Sequence, residues 1–187
     1  MAHIWFDMDG TLADLYGQQD WLKMLEENNP AVYRNAKPMP MLDIERFRAQ
    51  LRNVKSQGHT VGVITWGSKV RENSPKDWYD KIAEAKLSWL KEYVPELAEE
   101  NFNLQQYGVP KYNATKNKTG LQILIDDDKR VREQWIASGG VAYSPIQENL
   151  EKQKFSIIND ILDDQHLIDD PVLVEMKNYK NSNPKQI

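Results

Sequence analysis

The chain has 187 residues, a formal net charge of −4 and no cysteine, with a pI near 5.5; its length suits one well-buried domain with a small elaboration rather than two full domains. The acidic balance argues against a broad electrostatic footprint for nucleic acid, leaving a local basic groove as the only route to one. Disulfides and thiolate metal sites are excluded, and the scattered His3, His59 and His166 offer no zinc spacing, so a metal here would be a hard cation bound through oxygen.

Residues 4–6 (Ile4, Trp5, Phe6) have the aromatic and β-branched character of a buried strand, running into Asp7-Met8-Asp9-Gly10-Thr11. A side-chain period of two sends Asp7 and Asp9 off the carboxyl end of that strand to the same side. Gly10 permits a turn that would bring backbone N–H groups toward an anion. Residues 15–29 place Leu15, Trp21, Leu22 and Leu25 at helical spacing and stop at Pro30, and residues 30–41 read as loop. Asp43 is the expected cap of a helix carrying Ile44, Phe47, Leu51 and Val54, closed by Gly58. Residues 59–65 (HTVGVIT) form the next strand, and Trp66-Gly67-Ser68 turns the chain.

Tyr79, Ile82, Lys86, Trp89, Leu90 and Tyr93 then mark a longer helix whose aromatic stripe reads as core, stopped by Pro95. A short strand is expected over 102–106 and another over 121–125 (LQILI), ending in Asp126-Asp127-Asp128. An amphipathic helix follows with Val131, Trp135 and Ile136, then Gly139-Gly140 and a strand over 141–143. This β-α-β-α-β order implies a mostly parallel sheet with helices on its faces. Further on, Leu150, Phe155, Ile158, Ile161 and Leu162 suit a helix packed on the domain. Asp163, Asp164, Asp169 and Asp170 read as a solvated edge, and residues 178–187 as a polar tail. The first apolar run is too short for a signal peptide, and no stretch approaches the roughly 20 apolar residues of a membrane span. The expectation is a soluble, cytoplasmic protein.

The string Asp7-Met8-Asp9-Gly10-Thr11, with Leu12 and Asp14 behind it, resembles the first motif of the haloacid dehalogenase (HAD) superfamily of phosphatases. Calcium loops share Asp-x-Asp-Gly but need a Glu at the twelfth position, where this chain has Gln18. Thr65-Trp66-Gly67 corresponds to the second motif, whose hydroxyl and following amide hold a phosphoryl oxygen. Asp126 and Asp127 match the acidic fourth motif; consecutive acids beside buried apolar residues repel one another unless a cation compensates. Asp128 reads instead as a helix cap. The third motif requires a lysine. Lys111, in Tyr-Gly-Val-Pro-Lys, is favoured because Pro110 fixes its approach, with Lys116 and Lys118 as nearer competitors.

More narrowly, the run from Ala85 to Leu90, the Tyr-Gly-Val-Pro-Lys segment, and Ile-Leu-Ile-Asp-Asp followed by Trp135 and Gly139-Gly140 look like the 5′(3′)-deoxyribonucleotidase branch and its phage-type relatives, over roughly residues 3–150. Trp66-Gly67 in the second motif and the short segment between the first two motifs depart from that pattern. The resemblance implies a Rossmann-like three-layer α/β sandwich with a minimal helical cap. It divides the chain into a catalytic domain over 1–150, with a small helical insertion at about 15–42, and a helical extension with polar tail over 151–187. It further implies Mg2+ held by Asp7, Asp9 through its backbone carbonyl, Asp126 and Asp127. Asp7 would be the nucleophile and Asp9 the proton donor and acceptor, with Thr65 and Lys111 completing the catalytic set; Thr65, Trp66, Gly67 and Lys111 would bind substrate. That substrate is expected to be a small phosphate ester, best a deoxynucleoside monophosphate, with Tyr16, Trp21 or Trp66 as stacking surfaces unless they pack in the core. A 3′-phosphatase acting on nucleic-acid ends and a non-catalytic binding protein are the alternatives.

Overall fold

A computed structural model describes residues 1–98, 101–148, 154–156 and 158–163. In chain order its elements are β1 (Ala2–Phe6), β2 (Ala13–Asp14), α1 (Trp21–Glu26), α2 (Ala31–Arg34), β3 (Lys37–Pro38), α3 (Ile44–Ser56), β4 (Thr60–Trp66), α4 (Trp78–Tyr93), α5 (Pro95–Ala98) and β5 (Asn101–Gln105). A 3-10 turn (Lys111–Thr115) leads to β6 (Leu121–Ile125), α6 (Lys129–Ala137), β7 (Val141–Tyr143), β8 (Ile146–Glu148), β9 (Lys154–Ser156) and α7 (Ile158–Asp163).

Alternation along the strands separates two apolar layers. Ile4 and Phe6, Val61 and Val63, and Ile123 and Ile125 face one way, against Phe47, Leu51 and Val54 of α3 and Trp89 and Leu90 of α4. Trp5, Ile64, Leu124 and Ala142 face the other way, against Val131 and Trp135 of α6. Each such side chain, fully buried, is worth roughly 1.5–3 kcal/mol. Gly62 is required by this packing: a Cβ there would lie 2.5 Å from the Trp5 indole and 2.7 Å from the Asn101 carbonyl oxygen.

The resulting sheet is parallel throughout, in the order β5-β4-β1-β6-β7, a Rossmann-like α/β fold. The chain runs outward from β1 through β4 and β5, then crosses back to place β6 on the other side of β1. Ligands of such sheets bind beyond the carboxyl ends of the strands at this reversal of direction. Asp7, Thr65 and Asp126 all stand there. Asp43 caps α3, accepting from the Arg46 amide at 3.0 Å, and Gly58 closes it with φ +86°.

Local expectations fail where distant partners decide. The helix expected over 15–29 contracts to the six residues of α1, because Asp20 and Asn28 take left-handed φ values of 59° and 52°, a conformation their short polar side chains tolerate. Pro30 opens α2 rather than a loop: its ring presets the φ of a helix entrance, and Asn29 Oδ1 accepts from the Ala31 amide at 3.0 Å. Residues 30–41 also contain β3, paired antiparallel with β2. Leu15, Val32 and Tyr33 of this insertion pack on Trp78, Ile82 and Ala85 of α4. Phe155 lies in β9, paired with β8, and not in a helix. Among the described residues the expected helix appears as α7, held to α3 by Asn159 Nδ2, which donates to Gln50 Oε1 at 2.7 Å, and by Gln50 Nε2, which donates to the Asn159 backbone carbonyl at 2.8 Å and to Asp163 Oδ1 at 2.5 Å. Leu150, Asp164, Asp169, Asp170 and the polar tail lie outside the described residues. Among the described residues no helix is long and apolar enough to cross a membrane.

Candidate active site

Asp7 extends β1 by one rung, donating its amide to the Ile125 carbonyl at 2.8 Å, so its carboxylate emerges beside the end of β6. The chain then winds tightly around the Met8 carbonyl, which accepts from the amides of Thr11, Leu12 and Ala13, while the Gly10 amide donates to Ala13 O at 2.8 Å. The Gly10 amide is thus spent inside the turn. Gly10 serves the turn itself, with φ +81°, and lets the loop touch Asp127, whose Oδ2 would lie 2.6 Å from a Cβ. The buried Thr11 hydroxyl braces the same contact, accepting from the Asp127 amide at 3.2 Å.

Lys111 opens the 3-10 turn after Pro110 and is buried. Its ammonium donates to Asp7 Oδ1 at 2.6 Å and to Asp126 Oδ2 at 2.7 Å. Burial works against that charge, but Asp7 and Asp126 outweigh it and hold the lysine above its ordinary range. Its competitors lie elsewhere: Lys118 donates to Asn101 Oδ1 at 3.2 Å, and Lys116 sits over the Tyr112 ring.

Asp7, Asp126 and Asp127 each offer an oxygen within 4.8 Å of the others. Burial and then repulsion from Asp7 push Asp126 up to about 6, against the pull of Lys111. Asp127 opens to solvent at the rim, yet desolvation by the cleft walls and the charges of Asp7 and Asp126 push it up to about 7. One ammonium among three carboxylates leaves an excess of negative charge. An all-oxygen donor set with that excess fits a divalent hard cation such as Mg2+. Arg132 fixes the strand end by donating to the carbonyls of Asp126 and Asp127 at 2.6 and 2.7 Å. Asp128 caps α6 through the Arg130 amide at 2.8 Å, as its position predicts.

Asp9 stands apart from this cluster. Its Oδ2 accepts from Lys86 Nζ at 2.6 Å, and the same ammonium donates to Thr65 Oγ1 at 2.9 Å. Burial raises the Asp9 pKa, with Lys86 pulling it down and Asp7 pushing it up. Thr65 meets this ammonium rather than the open cleft. Alternation places it on the same face as Val61 and Val63, toward α4, where it is fully buried and does not line the cleft. Lys86 is the residue the sequence reading missed, absorbed there into the apolar stripe of α4. The available signal was a lysine four residues after Ile82 and three before Trp89, on the buried face. An unpaired ammonium is prohibitively costly in such a place, so a lysine there demands an acid partner.

Above these groups lies a cleft of about 350 Å³ between the insertion and the turn after β4. Tyr16 meets Trp21 edge-to-face at 5.1 Å, and Trp66 meets Tyr107 at 5.5 Å. The Trp66 indole donates to the Val109 carbonyl at 2.7 Å, fixing its ring near Lys111. Gly67 lines the cleft, but its amide is taken by the Gln105 carbonyl at 2.9 Å. Lys69 and Arg71 flank the same opening.

No family profile and no curated protein matches the chain. Among solved structures, that of D,D-heptose 1,7-bisphosphate phosphatase from Burkholderia thailandensis is similar over 75% of each chain, at 11% sequence identity and a TM-score of 0.45.

Proposed function

We propose that the protein is a magnesium-dependent phosphomonoesterase of HAD type, acting through an aspartyl-phosphate on a small phosphate ester, best a deoxynucleoside monophosphate. One observation carries the reading: two carboxylates two residues apart are held by two different buried lysines, Asp7 by Lys111 beside the acidic cluster and Asp9 by Lys86 away from it. Paired environments that separate two acids also separate their tasks. A phosphate monoester dianion repels an anionic nucleophile, so its charge must be offset before attack.

Asp7, Asp126 and Asp127 would hold the cation, with the Asp9 backbone carbonyl as the further ligand implied by the motif; when bound, Mg2+ supplies charge neutralisation for the phosphoryl oxygens. Lys111 offsets charge at Asp7 and at a phosphoryl oxygen. An Asp7 oxygen forms a bond to phosphorus as the P–O bond to the leaving group breaks; its electron pair stays on the leaving oxygen, which takes a proton from Asp9. Water then attacks phosphorus, yields a proton to Asp9, and the phosphorus–Asp7 bond breaks to regenerate the carboxylate. The aromatic walls, including Trp66, supply faces for a base.

The test is a screen of nucleoside monophosphates, sugar phosphates and 3′-phosphorylated oligonucleotides with and without magnesium, coupled to chemical trapping of the acyl-phosphate. Magnesium-dependent release of phosphate from a deoxynucleoside monophosphate, with the label trapped on Asp7, is the expected result. Activity confined to oligonucleotide ends would overturn the substrate, and absence of any turnover would overturn the enzyme.

A further inference from the structure

Lys86 is fully buried in the middle of α4, with Ile82, Ala85, Trp89 and Leu90 also buried on that helix. Its ammonium reaches across to two different strand ends, Asp9 after β1 and Thr65 at the end of β4, with the Tyr33 ring 4.8 Å away. An ammonium has three donors and no acceptor. Both bonds therefore run outward from Lys86, and the Thr65 hydroxyl can only accept. Thr65 fixes where the ammonium sits, and the ammonium occupies Asp9 Oδ2, leaving Oδ1 as the oxygen not bonded to Lys86, on a residue that lines the cleft. An unrestrained aspartate turns about two side-chain bonds; this one is held from behind by a rigid helix.

We infer that Lys86, braced by Thr65, is a positioning residue that aims the Asp9 carboxylate for proton transfer to the leaving group and from water. This deepens the phosphatase reading and rests on it. Lys86 touches no substrate atom in this role; it acts through Asp9. Lys111, committed to Asp7 and Asp126, has no equivalent function toward Asp9.

Aim matters most where the leaving oxygen needs a proton. An alkoxide departs only with help, whereas p-nitrophenolate departs without it. The experiment measures kcat/KM, which reports the steps up to departure of the leaving group, for an alkyl phosphate and for p-nitrophenyl phosphate in wild type, Lys86→Met and Thr65→Val. Lys86→Met is expected to lower kcat/KM for the alkyl ester roughly 10²–10³-fold and for the aryl ester less than about tenfold. Aryl turnover should then show a rapid burst of nitrophenolate, because water attack on the aspartyl-phosphate has lost its aimed base. Thr65→Val should show the same split, several-fold in size. Equal losses on both esters would overturn the inference. If Lys86→Met does not fold, Thr65→Val decides alone: an alkyl-selective loss supports the inference, and a uniform loss or none overturns it. A wild type inactive on both esters would instead bring down the phosphatase reading itself.

Discussion

On the floor of the cleft, Lys86 and Lys111 are buried and hold Asp9, Asp7 and Asp126 at 2.6–2.7 Å. At the rim, Tyr16 and Leu22 are about half exposed, and Tyr107 reaches 59%. Removing one partner from a buried ion pair costs about 3–5 kcal/mol, while surface substitutions usually stay within about 0.5 kcal/mol. The floor is an assembly in which each charge is needed by its neighbours; the rim is a set of separable surfaces. Changes at Asp7 and Lys111 should therefore depress turnover of every ester, changes at Asp9 and Lys86 should act most where the leaving oxygen needs a proton, and changes at the rim should alter which substrate is used.

The largest effect is expected from Asp7→Asn, since an amide is neither an anionic nucleophile nor a good metal ligand. Turnover should fall roughly 10⁴-fold or more on all esters, and near-normal steady-state rates would end the covalent mechanism. Asp9→Asn should cost roughly 10²–10⁴-fold in turnover while leaving the thermal stabilisation by magnesium largely intact. Loss of that stabilisation in Asp9→Asn to the same degree as in Asp7→Asn would mean that the floor is not divided between its two lysines. Lys111→Ala should lower kcat at saturating magnesium by roughly 10²–10³-fold, and Lys118→Ala, at a lysine bonded to Asn101, by less than about twofold. A dead Lys118→Ala would move the essential cation away from Asp7.

Magnesium itself probes the floor by thermal melting. Asp126 and Asp127 are raised to about 6 and about 7. Groups raised in this way favour the folded state at low pH, and that contribution is lost as pH rises through those values. A cation must meet the deprotonated forms. The rise in Tm at about a hundredfold excess over Kd should be roughly 5–10 °C at pH 8 and much smaller at pH 5. An increment independent of pH would remove these carboxylates from the metal site. The smallest effect belongs to the rim: Trp66→Ala should weaken use of a deoxynucleoside monophosphate several-fold, within the roughly 1–3 kcal/mol of base–aromatic stacking, and leave p-nitrophenyl phosphate nearly unchanged. Equal losses on both would make Trp66 a packing residue.

Much of the scaffold follows from the sequence by itself. Short continuous apolar runs in β1, β4 and β6 specify strands buried on both faces, while Asp43, Gly58 and Asp128 mark helix ends through bonds made within a few residues. The order of strands and acids along the chain likewise makes Asp7, Asp9, Lys111, Asp126 and Asp127 candidates for one site. Period and capping are local properties, so these are legible without a partner. Tertiary structure decided the remainder. Pairing between distant segments placed β2 against β3 and β9 against β8, where local spacing reads loop or helix. It set Thr65 against Lys86 of α4. Above all, it brought Lys86 to Asp9, 77 positions away in the chain. A lysine on an apolar stripe states that some acid must meet it; only the packing of α4 across the ends of β1 and β4 determines which one, because the cost of burying the ammonium is offset by a carboxylate that no local pattern can locate.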